Sequence, residues 1–369
     1  MTSSDPPTSL PQLISSDPFA LNPITLAMMP DPQNLESTPI EGFPNQPDQV
    51  ERPTTEAPTQ LEPPTLIIET DELEEADDMP TIVLPLQLAS LDHAAKTDVG
   101  RQREHNEDYF GIVSEAFYVE KPSGRSVQAR ALYVLCDGMG GHAGGEVASQ
   151  LAVDTLQSFF QDHWDSLDTE SLATVKLPPS NLIREGIIQA NGAIFDRNQA
   201  ENRMGSGRMG TTLVMILLCN TAIAIAHVGD SRLYRYTRKR GLEQLTIDHE
   251  VGQREIQRGV DPELAYARPD AYQLTQALGP RDEEFIEPDI QFMELNEDTL
   301  FILASDGLTD NQLLEAYTPD YIEPLLSSQA SLDQGVRQLI DLANEQNGHD
   351  NITALVIRAK VRPNLDRAR

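Results

Sequence analysis

Between residues 132 and 228 the apolar residues follow an order that few folds accommodate. Leu132-Tyr133-Val134-Leu135-Cys136 is a short apolar run that reads as a buried strand. Two helical periods follow with no strand between them. One begins near Gly145-Glu146 and carries Val147, Leu151, Leu156 and Phe159 on one side. The other covers about Asn181 to Asn202, with Ile183, Ile187, Ile188 and Ile194 inward. Only then do strand-like runs return, in Thr211 to Leu218 and Ala222 to His227, which flank Cys219-Asn220-Thr221 and read as paired strands. Parallel sheets need strand and helix to alternate. Adjacent helices followed by hairpin strands predict an α+β domain built on antiparallel sheet.

The remaining elements extend this plan. A run around Tyr109 to Phe117 and a turn at Lys121-Pro122-Ser123-Gly124 predict a hairpin with the 132–136 strand. Asp162 to Ser180 is a polar, proline-containing loop. Leu233 to Tyr236 is expected to continue the meander, Leu300 to Ala304 to form a further strand, and Ile352 to Ile357 to close the sheet after a helix over about Leu332 to Glu345.

Charge and proline set the domain boundaries. Residues 1–80 hold 15 of the 26 prolines and 16 acidic residues against one basic residue, Arg52. Their apolar clusters, such as Leu66-Ile67-Ile68, are interrupted by Pro, so the segment cannot bury enough surface to offset its ordering entropy. It is expected to be a disordered acidic tail, either simply solvated or docking on a partner protein. Residues 81–361 are expected to form one domain and 362–369 a short polar tail. The formal charge of −32 argues against a surface that grips nucleic acid or anionic lipid. Two cysteines, both in apolar runs, exclude a disulfide scaffold or a Cys-rich zinc site and fit a reducing compartment. There is no run of about 18 apolar residues, and Met1 to Asp5 lack the start of a secretory signal. The expectation is a cytoplasmic protein.

The acids point to the chemistry. Two apolar strands end in Asp-Gly, at 137–138 and 306–307. A third ends in Gly229-Asp230, a fourth is preceded by Gly348-His349-Asp350-Asn351, and Asn106-Glu107-Asp108 enters an earlier one. One Asp-Gly is ordinarily a turn. Several acidic strand ends, on strands spaced about 4.8 Å apart, can converge on one sheet edge. Carboxylates that close repel unless a cation sits among them, and all-oxygen sets suit Mg²⁺ or Mn²⁺. The seven histidines show no metal-binding spacing and offer no competing site. Gly138-Met139-Gly140-Gly141-His142-Ala143 formally matches a dinucleotide fingerprint, but no βαβ unit follows and Asp137 would repel a pyrophosphate. There is no P-loop and no GxSxG nucleophile elbow.

These residues form an ordered set of motifs. They are Thr97-Asp98-Val99-Gly100 with Arg103-xx-Asn106-Glu107-Asp108, then Cys136 to His142 with Gly145-Glu146, then Gly210-Thr211-Thr212. His227 to Arg232, Leu245 to His249 and Thr275 to Gly279 follow, then Ser305-Asp306-Gly307-Leu308 and Gly348 to Thr353. The set closely resembles the bacterial type of the metal-dependent PP2C, or PPM, protein phosphatase family, over nearly all of 90–360. The resemblance implies a four-layer sandwich, two antiparallel sheets flanked by helix pairs.

It also implies roles. Asp137 would bridge two Mn²⁺ or Mg²⁺ ions, with Asp306 and Asp350 completing the shell of one and Glu107 and the Gly138 carbonyl holding the other. Such a pair makes a bridging hydroxide that attacks phosphorus directly, without a phosphoenzyme. Asp108 would orient the water, Arg103 would hold the phosphate with its planar fork, and His142 is a candidate general acid for the leaving alkoxide. Asp230 would share a third ion with Asp306, the alternative being a structural turn. Cys136, His105, His227 and His249 are expected to be structural. Val251 to Tyr272 corresponds to a mobile flap, and Arg258 to Glu263 departs from the usual flap sequence, which bears on substrate choice. The implied substrates are phosphoserine and phosphothreonine proteins, and a monomer is expected. A pseudophosphatase or phosphate-sensing module, and a small-molecule phosphohydrolase, are the alternatives.

Overall fold

The computed structural model describes residues 84–121, 124–140, 144–167, 172 and 175–365. The expected tail over 1–80 and the candidate acid His142 lie outside them. The strands, in chain order, are β1 (Leu86–Asp98), β2 (Asp108–Lys121), β3 (Gly124–Met139), β4 (Gly210–Thr211), β5 (Leu213–Cys219) and β6 (Ala222–Val228). They continue with β7 (Arg232–Thr237), β8 (Gly241–Gln244), β9 (Asp289–Glu294), β10 (Thr299–Ala304) and β11 (Ile352–Pro363). The helices are α1 (Gly144–Ser166), α2 (Ser180–Ala200), α3 (Val251–Gln257), α4 (Pro262–Tyr266), α5 (Asp306–Thr309), α6 (Leu313–Ala316) and α7 (Leu332–Gln346).

Two antiparallel sheets result, one ordered β1-β11-β10-β7-β8 and the other β2-β3-β5-β6-β9, with β4 paired to the end of β3. The alternation of side chains along each strand builds the layers. On β3, Leu132, Val134 and Cys136 face one way and pack with Leu156, Phe160, Ile183 and Ile187 of α1 and α2. Ala131, Tyr133 and Leu135 face the other way and meet Leu233, Phe301, Leu303 and Leu355 of the second sheet. That sheet's outer face buries Ile302 and Val356 under Val336, Leu339 and Ile340 of α7. Helix, sheet, sheet, helix is the expected α+β sandwich. No helix among the described residues is long and apolar enough to cross a membrane.

Four details differ from expectation. The buried stripe of α1 is Ala148, Ala152, Leu156, Phe160 and Trp164; Leu151 and Phe159 are marginal and Val147 is 39% exposed. Small alanines face the sheet because they let the helix axis approach it. Likewise Ile188 on α2 is only partly buried. The strand over 232–237 does not continue the meander: β7 pairs with β10 and β8 in the opposite sheet. Gly229, at φ +104°, turns the chain across, a conformation glycine adopts without steric penalty. At the C-terminal end β11 runs to Pro363, and the Asn364 N–H donates to the Pro85 carbonyl, so the ladder enters the segment expected to be a polar tail.

Candidate active site

Antiparallel register places the first two acids. Asp108, the first residue of β2, lies directly opposite Asp137 near the end of β3. The Asp137 backbone is held on all sides. Its N–H donates to Thr212 Oγ1 at 2.9 Å, and its carbonyl accepts from Thr212 N at 2.8 Å and Thr211 Oγ1 at 2.8 Å. The carboxylate is thereby fixed at the strand end. Glu107 sits beside it, with its carbonyl accepting from Gly138 N at 3.0 Å. Gly138 and Gly145 are required by contact alone. A Cβ on Gly138 would lie 2.1 Å from the Gly145 carbonyl oxygen, and one on Gly145 would lie 2.6 Å from Glu107 Cδ.

The other sheet supplies the rest. Asp306 opens α5 directly after β10, and Asp350 precedes β11. Ser305 ties the two sheets together: its hydroxyl donates to Asp108 Oδ2 at 2.7 Å and accepts from Thr353 N at 2.9 Å. Asn351 does the same for the loops. Its Oδ1 accepts from Glu107 N at 2.8 Å, and its Nδ2 donates to the Val99 and His105 carbonyls, both at 2.9 Å. Ser305, Asn351, Thr211 and Thr212 were not singled out as site residues in the sequence, although each lies inside a quoted motif. Their role is hydrogen bonding between distant segments, which leaves no local pattern.

Electrostatics shows what this cluster lacks. Asp108 is only 4% exposed, and burial, with repulsion from Asp306 and Asp350, pushes its pKa up to about 7 against hydrogen bonds from Thr353 and Ser305. Burial and the charges of Asp108, Asp306, Asp230 and Asp350 push Asp137 well above the ordinary carboxylate range. Asp306 rises to about 6, through burial and then Asp350 and Asp310. Glu107 rises too, chiefly by burial. Oδ1 of Asp108 and Oδ1 of Asp306 are buried with no hydrogen-bond partner. Acceptor-only oxygens without donors, among carboxylates that raise one another's pKa, fit a hard divalent cation.

Asp230 lies with Asp306 on a cavity of about 320 Å³, also lined by Arg232, Glu250 and Tyr272. Burial, then Asp306, Glu250 and Asp248, raise it to about 7. Arg103 reaches across to Asp350, with Nη2 2.6 Å from Oδ2. The 251–272 segment carries α3 and α4, and the departing stretch 258–263 comprises the turn between them and the start of α4.

The structure brings together one group that the histidine spacing did not reveal. His227, His249 and Asp289 each place a ligand atom within 4.8 Å of the others. Their hydrogen bonds argue against a metal there. His227 Nε2 donates to the Ile247 carbonyl at 2.9 Å, and His249 Nδ1 accepts from Gly229 N at 3.1 Å, which leaves the His249 proton on Nε2 facing Asp289. Both nitrogens that face the carboxylate carry protons. The signal was invisible locally because β6, the flap root and β9 are far apart in sequence.

Residues 102–344 match the family model described as protein phosphatase 2C. The chain belongs to the protein phosphatase 2C family. It is 32% identical over 263 residues to the serine/threonine phosphatase stp of Listeria welshimeri, covering 71% of this chain and 93% of that one. Its fold is similar to that of the serine/threonine phosphatase PstP/Ppp of Mycobacterium tuberculosis, with a TM-score of 0.53, 28% identity, and coverage of 72% and 97% of the two chains. A structure of the PstP catalytic domain with two manganese ions is also similar, with a TM-score of 0.51, 28% identity, and coverage of 75% and 99%. The protein is accordingly an enzyme of the protein phosphatase 2C type.

Proposed function

We propose that this 2C-type phosphatase hydrolyses phosphoserine and phosphothreonine monoesters on protein substrates by direct attack of water. The observation that carries the reading is the cluster of Asp108, Asp137 and Asp306, with raised pKa values and two buried oxygens that no donor meets. Glu107, Asp137, the Gly138 carbonyl, Asp306 and Asp350 would hold two Mn²⁺ or Mg²⁺ ions, and Asp230 with Asp306 a third. Bound there, the ions supply an acidified water and positive charge beside the phosphate oxygens.

The chain's own residues do the rest. Arg103 exchanges the Asp350 carboxylate for two phosphate oxygens, which its fork engages in parallel. Asp108, held at Oδ2 by Ser305, keeps Oδ1 free to accept a proton from the attacking water. On the sequence motif, His142 returns a proton to the leaving serine or threonine oxygen. Thr211 and Thr212 keep the Asp137 carboxylate aimed while substrate exchanges.

Hydrolysis of a phosphothreonine peptide should require Mn²⁺ or Mg²⁺, stop on adding EDTA, and fall by at least about 100-fold in Asp306→Asn, the scale of losing a charged group that acts on the transition state. Phosphopeptide binding without turnover in Mn²⁺ would identify a phosphate-sensing module instead. Turnover confined to small phosphate esters would identify a metabolite hydrolase.

A further inference from the structure

We infer that His249 is a positioning residue for Asp230, acting through the backbone of Gly229 and linking that carboxylate to the root of the 251–273 segment. The inference rests on the reading of Asp230 as an ion ligand. His249 grips the corner before Asp230 twice: its backbone N–H donates to the Gly229 carbonyl at 2.9 Å, and its Nδ1 accepts from the Gly229 N–H at 3.1 Å. Gly229 cannot retreat. A Cβ there would lie 2.8 Å from Thr212 Cβ, so its backbone is closed in by Thr212 on one side and His249 on the other. On the far side of Asp230, Ser231 Oγ bonds Thr212 Oγ1 at 2.7 Å, the same threonine that holds Asp137. Asp230 is therefore suspended between two anchors, one of which is an imidazole.

The ring itself is held. His227 stacks on it with centroids 4.8 Å apart and planes at 23°, and Asp289 Oδ2 lies 3.3 Å from its Nε2. Register places Asp289 directly opposite His227 in the β6–β9 pair, so both supports come from one rigid ladder. The His249 carbonyl accepts from Thr275 N at 2.7 Å and Thr275 Oγ1 at 3.0 Å, and Glu250 bridges Leu274. Both ends of the intervening segment thus meet at His249. An anchor is needed because Asp306, Glu250 and Asp248 all repel the Asp230 carboxylate. Without the Nδ1 acceptor, the Gly229 N–H loses its partner and one of the two grips that hold the carboxylate against this repulsion is gone.

The test uses the full chain and Mn²⁺ alone, followed by isothermal titration. Asp230 and Asp306 offer fewer carboxylates than the main cluster, so their ion is expected to be the weaker component of the isotherm. His249→Ala should weaken that component about tenfold or more and leave the tighter one in place. His249→Asn, whose Oδ1 occupies the position of Nδ1, should keep it within about twofold. Asp289→Ala, at a side chain that is 61% exposed, should weaken it about threefold. An unchanged weaker component in both His249→Ala and Asp289→Ala, or equal loss in His249→Asn and His249→Ala, overturns the inference. Asp230→Asn separates this from the underlying reading: if that variant keeps the weaker ion, Asp230 is not its ligand.

Discussion

On the proposed reading, Arg103 serves two partners in turn, Asp350 and the substrate phosphate. It holds Asp350 at 2.6 Å while its own side chain is 48% exposed, so the pair can open toward solvent. A charge-assisted bond to phosphate is worth about 1.5–3 kcal/mol. Arg103→Ala should therefore lower kcat/KM by roughly 10- to 100-fold with most of the change in KM, measured with a phosphopeptide. Arg103→Lys should recover only part of this, because an ammonium lacks the fork. An unchanged KM in Arg103→Ala would remove the residue from phosphate binding. At this scale the sequence was informative for the acids and poor for their supports. Asp137 and Asp306 stand at strand ends followed by glycine, Asp350 lies two residues after Gly348, and Glu107 precedes the first residue of β2, a pattern that emerges only from several segments read together. Ser305 and Asn351 act across about 200 residues of chain or more, and only the fold brings their partners near.

Among the elements, the turn between α5 and α6 stands out. Asn311 and Gln312 both adopt left-handed backbone, at φ 59° and 56°. Asparagine tolerates this conformation, but glutamine does so at a cost of about 1–2 kcal/mol. Gln312 is exposed, so packing does not constrain the choice. Gln312→Gly should stabilise the protein by up to about 1 kcal/mol after the entropy of glycine is subtracted. Gln312→Val should destabilise it by about 1 kcal/mol or more, both read from denaturant midpoints at unchanged m. The elements most legible in the sequence were the unbroken apolar runs of β3, β5 and β6 and the helical period of α2. The sheet membership of β7 was not legible, since a strand of this composition can complete either sheet and its ladder partners β8 and β10 come later in the chain. β1 was missed because Gln87, Ser90, Asp92, His93 and Lys96 break the apolar run, most of the strand being only partly buried.

Considered whole, the domain holds more like charge in one cleft than its fold alone favours. Asp108 and Asp230 rise to about 7 and Asp306 to about 6, each through burial first. Acids with folded values above their unfolded ones favour the fold fully only below about pH 4, and that contribution is lost as pH rises to about 7. Ion-free protein should therefore lose Tm between pH 5 and pH 8 in a way that Mn²⁺-loaded protein does not. Taking the difference between the two cancels groups away from the cleft. At 100 times its dissociation constant a single ion adds about 2.7 kcal/mol, or roughly 5 °C or more at pH 8. Equal Mn²⁺ stabilisation at both pH values, by scanning calorimetry, would contradict this account.

The position of β11 carries a further consequence for synthesis. It is the last described strand, yet it sits between β1 and β10 in its sheet, with Asp350 and Asn351 at its entrance. A chain that stops short of this segment lacks Asp350, Asn351 and the strand that joins β1 to β10. On the proposed reading of Asp350 as an ion ligand, phosphatase activity is expected only once this last strand is in place, and a product terminated before it is expected to be inert.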